Sequence, residues 1–110
     1  MYVCVSCGWR LGLVVVERLS VDGKACLGVR VDLPGSSAPL LIVVADRGFV
    51  MCGFLNVETA ERLGVAAAVV SGVKSFDDVL NGEVRAVTSR AQALGVKVGM
   101  KGAEALKCIF

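Results

Sequence analysis

Gly48-Phe49-Val50-Met51-Cys52-Gly53-Phe54-Leu55-Asn56 is the stretch on which the fold turns. An apolar run of strand-like composition ends at Gly53 and delivers Asn56, a strong N-cap residue, to a helix that starts at Val57. Val57, Ala60 and Leu63 follow helical spacing, Glu58 and Glu61 suit the positive end of the helix dipole, and Gly64 is a natural stop. A strand that runs straight into a helix is a place where small ligands are held. It also carries Cys52, the best placed of five cysteines.

Upstream, Leu11, Leu13, Val15, Leu19 and Val21 share one parity, with Glu17 the exception, against Arg18 and Ser20, the period of a half-buried strand. The same alternation returns in Ala25, Leu27, Val29, Val31 and Leu33 after Asp22-Gly23, a strong hairpin signal. A two-residue loop there would set Val21 opposite Lys24. A three-residue loop, Val21-Asp22-Gly23, keeps apolar with apolar by opposing Leu19 with Ala25, and is the predicted register. Pro34 to Pro39 reads as a loop. Leu40–Ala45 and Phe49–Phe54 form a second predicted hairpin about Asp46-Arg47-Gly48, pairing Ala45 with Phe49, Val43 with Met51 and Ile42 with Cys52. Both strands are apolar throughout, so both faces are expected to be covered, by helices on one side and by a partner copy on the other.

Downstream, Ala66–Val70 is a short apolar strand or buried segment. Ser75-Phe76-Asp77-Asp78 reads as a capping box opening a helix that Asn81-Gly82 ends. Glu83–Thr88 alternates as a strand, Ser89 opens a short helix to Leu94-Gly95, and a last helix spans about Ala103 to Lys107. Hairpins followed by short alternating helices and strands predict a single α+β domain.

Composition bounds the function. The 110 residues are 55% hydrophobic, more than so small a domain hides internally, so apolar surface is expected to be buried against another copy of the chain. The longest uncharged stretch, Leu33–Ala45, is interrupted by two prolines and falls short of a membrane span, and the first residues lack a signal-like leader. A cytoplasmic protein with no membrane contact is expected. Net charge is +2, with basic and acidic residues interspersed and few aromatics, which argues against nucleic-acid binding. Scarce asparagine and glutamine fit a thermophilic source.

There is no histidine, so the commonest general base and the commonest metal ligand near neutral pH are both missing. Cys52, before a helix start, has access to backbone amides that would favour a thiolate, and Asn56 could help polarise a carbonyl; the alternative is that Cys52 is a small core residue beside Ile42. Cys4-x-x-Cys7 is half of a metal site with no second pair, or a redox pair, or simply two thiols. Gly72-Val73-Lys74-Ser75 superficially resembles the end of a phosphate-binding loop but fails the Walker spacing, and Ser75 is better read as a helix cap. Asp77, Asp78 and Glu104 read as dipole-compensating carboxylates. No cofactor and no metal are expected.

Four signatures recur in order: Met51-Cys52-Gly53-Phe54-Leu55-Asn56; Ala60-Glu61-x-Leu63-Gly64; Gly72-Val73-Lys74-Ser75-x-Asp77-Asp78-x-Leu80; and Ala93-Leu94-Gly95-x-x-x-Gly99-Met100-x-Gly102-x-Glu104-Ala105-Leu106. Over roughly residues 12 to 107 the chain resembles the YunC-like family of domains of unknown function. The resemblance implies a domain over 12–110 preceded by an extension at 1–11, and a β-sheet region at about 12–55 that assembles a homotetramer. It implies no established activity. Val65 stands where the family pattern has an acidic residue, which argues against a carboxylate site there. Two functions follow as expectations: an oligomeric, non-enzymatic module that binds a partner or small ligand, or a cysteine-dependent enzyme using Cys52.

Overall fold

The computed structural model describes residues 14–35, 38–53 and 55–110. Strand β1 (Val14–Val21) turns into β2 (Lys24–Val31), β3 (Leu40–Val44) into β4 (Gly48–Met51), and helix α1 (Val57–Leu63) crosses from β4 to β5 (Ala66–Val70). Helix α2 (Phe76–Asn81), strand β6 (Val84–Val87) and helices α3 (Ser89–Ala93) and α4 (Gly102–Ile109) complete the domain. The six strands among the described residues form one sheet in chain order, antiparallel except for β4 and β5, which the α1 crossover makes parallel. The α+β class expected from the sequence is the one observed.

Both hairpin registers differ from the expectation by one residue. Asp22 and Gly23 lie at φ 53° and 80°, the left-handed pair of a two-residue type I′ turn whose twist suits the flanking strands. Val21 therefore pairs with Lys24 and Leu19 with Cys26. The polar–apolar mismatch is relieved because the Lys24 ammonium stands 5.6 Å from the centroid of the Phe110 ring. In the second hairpin the turn is Asp46-Arg47, the Ala45 amide donates to the Gly48 carbonyl, and Val44, Val43 and Ile42 pair with Phe49, Val50 and Met51. Gly48 serves β5 rather than the turn: a side-chain carbon there would run into the Ala66 carbonyl of the neighbouring strand. β4 is also shorter than expected, ending at Met51.

Alternation gives the sheet two faces. Leu41, Val43, Val50, Ala66, Ala68 and Val70 point to a face packed by α2 and α4 through Val79, Ala105, Leu106 and Ile109, all fully buried or nearly so. Helix α4 runs from Gly102, wider at both ends than the predicted 103–107, and Gly102 itself lies against the Val79 carbonyl, leaving no room for a side chain. Met51, Ala67 and Val69 point the other way, where Ala60 and Val57 of α1 cover them. Helices were expected on one side only. Instead α1 takes part of the second face, because a parallel β4–β5 pair needs a crossover.

The caps Asn56 and Gly64 of α1 and Ser75 of α2 fall where the sequence put them. Ser75 Oγ accepts the Asp78 amide at 3.2 Å, while the Asp78 carboxylate returns to the Lys74 amide, one residue earlier than a capping box requires. Helix α3 opens at Ser89 as expected, capped by Thr88, whose Oγ1 accepts the Ala91 and Ala67 amides and donates to the Val65 carbonyl. The Arg47 guanidinium donates to the carbonyls of Cys108 and Phe110 at 3.0 Å, placing a cation on the negative end of α4.

Candidate functional site

The junction after β4 separates the two residues that the sequence singled out. Asn56 caps α1: its Oδ1 accepts the Glu58 amide at 2.8 Å, and the Gly64 amide closes the far end on Ala60 and Glu61. Because α1 lies on the second face, Asn56 borders an apolar groove of about 380 Å³ with Ile42, Phe49, Leu55 and Leu63. Cys52 points to the opposite, helix-packed face. It lines a separate cleft of about 200 Å³ with Ala38, Pro39, Gly53, Gly72 and Val73. The one-residue shift of the β3–β4 register also puts Cys52 beside Leu41 rather than Ile42: its Sγ accepts the Leu41 amide at 3.3 Å, and the Cys52 amide donates to the Leu41 carbonyl at 3.0 Å.

This geometry limits the chemistry. Cys52 is 3% exposed, and among the described residues no titratable side chain shares its cleft to take a proton from the thiol. Cys26 is buried on the same face, and burial raises its thiol pKa. Among the described residues no group of three Cys, Asp or Glu is placed to hold a metal ion. The Cys4 and Cys7 pair considered above lies outside the described residues. Among the described residues no helix is long and apolar enough to cross a membrane.

The second face carries the feature that the sequence located least well. Leu27 and Val44 pair across β2 and β3 and remain 37% and 38% exposed, with Val29 and Ile42 half-buried beside them. Helix α1 covers only the β4–β5 end, so this apolar surface runs on into the groove beside Leu63, itself 72% exposed. Ser71, between the β5 end and the Gly72 turn, is a further residue that sequence reasoning passed over. Its position after an apolar run and before glycine was the available signal.

A six-stranded α+β sheet with helices on both faces, one open apolar end and no assembled catalytic set among the described residues defines the class of domain. The chain belongs to the family described as Domain of unknown function (DUF1805), whose model matches residues 51–109. It is 35% identical over 98 residues to the uncharacterized protein YunC of Bacillus subtilis (strain 168), covering 86% of this chain and 95% of that protein. It superposes on the crystal structure of a protein of unknown function, TA1206, from the thermophile Thermoplasma acidophilum with a TM-score of 0.83 at 30% identity, covering 93% of this chain and 99% of that one. The family resemblance read from the four signatures is therefore established, and neither relative carries an assigned activity.

Proposed function

We propose that the protein is a non-enzymatic assembly and binding module in which the open face of β1–β3 packs against a second copy of the chain, building a homotetramer of the kind the family resemblance implies. The observation that carries this reading is the cross-strand pair Leu27 and Val44, large apolar side chains left more than a third exposed beside the half-buried Val29 and Ile42, with Arg18 of β1 and Asp46 at the rim of the patch. Contiguous apolar surface of this kind marks an association site, and a sheet face is flat enough to stack on its like about 10 Å away.

Light scattering after size exclusion at micromolar concentration tests it. The expected mass is a multiple of the 11.4 kDa chain, and Leu27→Glu combined with Val44→Glu returns a folded monomer. A monodisperse wild-type monomer overturns the proposal.

The second reading, a cysteine-dependent enzyme, is favoured only by the position of Cys52 on a cleft. The hydrogen bond that its sulfur already accepts, and the lack of a base in its cleft among the described residues, make it the weaker of the two.

A further inference from the structure

We propose that the crevice at the carboxyl ends of β4 and β5 binds a small carboxylate-bearing molecule with a short apolar body. These strands are the one parallel pair among the described strands, and the connections leaving them diverge. The chain after Cys52 goes to α1 on one face of the sheet, and the chain after Val70 goes to α2 on the other. Where neighbouring parallel strands send their next helices to opposite faces, a crevice opens beyond the strand ends, and open α/β sheets hold their ligands there. The cleft of about 200 Å³ between Gly53 and Gly72 is that crevice, with Pro39 as a side wall and Cys52 as its floor.

The chemistry of the lining selects the ligand. Gly72 and Val73 line the crevice and Ser71 stands at its edge, its Oγ 3.8 Å from where a side-chain carbon on Gly53 would lie; among the described residues the amides of all three and the Ser71 hydroxyl make no hydrogen bond, while Asp78, in the adjoining cleft that Ser71 lines, takes the Lys74 amide. Gly72 is left-handed at φ 72°, and successive amides around a left-handed residue form a concave donor set suited to an anion. The Arg30 guanidinium, 3.4 Å from the Lys74 carbonyl, adds positive charge beside this loop, offset in part by its own ion pair with Asp32 and by the Asp78 carboxylate held on the Lys74 amide. The other walls, Ala38, Pro39 and Val73, are apolar and favour a hydrocarbon body over a bare inorganic anion. The volume lies below the roughly 300–1,000 Å³ of drug-sized sites, so the ligand is small. Recognition is non-covalent and does not depend on the assembly proposed above, because the crevice lies at the end of the sheet and not on the Leu27–Val44 face.

Titration of the full chain with sodium isobutyrate, followed by backbone amide NMR, tests the site, with isobutyramide and inorganic phosphate as controls. Isobutyrate is expected to give saturable shifts at Gly53, Ser71, Gly72 and Val73, with both controls binding at least tenfold more weakly. Gly53→Leu plugs the crevice, since a side-chain carbon at position 53 meets only Ser71 Oγ, at 3.8 Å, and it should abolish the titration. Ser71→Ala, an exposed truncation that leaves the fold alone, should weaken binding about tenfold, and it decides the matter should Gly53→Leu fail to fold. Shifts that do not saturate or that map elsewhere, isobutyramide or phosphate binding as tightly as isobutyrate, undiminished binding by folded Gly53→Leu, or unchanged binding by Ser71→Ala would each overturn the proposal. The Leu27→Glu, Val44→Glu chain should titrate like wild type, so a failure of the assembly reading is separately visible.

Discussion

The sulfur of Cys52 is the hydrogen-bond acceptor of the Leu41 backbone amide, across the β3–β4 pair and inside the core. A thiol so placed is a structural partner. Iodoacetamide should label Cys52 in the native protein only at the rate of local opening, and rapid labelling at neutral pH would favour the enzyme reading instead. Cys52→Ala leaves the buried Leu41 amide unpaired and should cost about 1–3 kcal/mol in urea unfolding, whereas Cys52→Ser keeps an acceptor and should lose less.

Thr88 should be among the most sensitive polar positions. It is fully buried, and one hydroxyl serves the Ala67 amide, the Ala91 amide and the Val65 carbonyl, tying β5 to the start of α3. Thr88→Val keeps the shape and strands those groups, so a loss of about 3 kcal/mol is expected, against about 1 for Thr88→Ser. Equal melting temperatures for the two variants would contradict this account.

Gly48→Ala should be far more damaging than its exposure suggests. The added methyl would have to displace the carbonyl and the Cβ of Ala66, which is held in the neighbouring strand by its pairing with Gly48 and cannot yield alone. Gly53→Ala, by contrast, should be nearly neutral. Chemical denaturation of the pair measures the difference, expected to exceed about 2 kcal/mol.

Asn56→Ala should weaken α1 by about 1 kcal/mol through loss of the bond to the Glu58 amide. Asn56→Asp should retain stability, because aspartate caps as well and its charge suits the helix start. A large loss on Asn56→Asp in thermal melts would refute the capping role.

Alkaline sensitivity should trace to Cys26. Burial raises its folded-state pKa above the ordinary 9.0, so below that pH the thiol is neutral in both states and its buried form is fully compatible with folding. As pH rises past about 9 the unfolded chain ionises first and stability falls. Cys26→Ala should flatten this alkaline limb of the stability curve, and an unchanged slope in denaturant titrations at pH 8 to 10.5 would assign the loss to other groups.

The sequence by itself determined what depends on a few adjacent residues. Asn56 and Gly64 bracket α1 as read, Ser75 caps α2, and the α+β order and the four family signatures were legible because caps and turns are satisfied within about four residues of chain. Tertiary structure decided the rest. The first hairpin's tighter turn, with Asp22 and Gly23 both left-handed, leaves Lys24 opposite Val21, a mismatch met by the ring of Phe110 at the other end of the sequence, and Gly48 proved to be a glycine because of Ala66 and not because of its own turn. A one-residue change of register turns every side chain of a strand to the other face. The same shift therefore moved Cys52 from beside Ile42 to beside Leu41, away from the groove of Asn56 and onto the floor of the crevice between β4 and β5. No local pattern encodes that choice, since it is made by packing between strands and helices that meet only when the chain has folded.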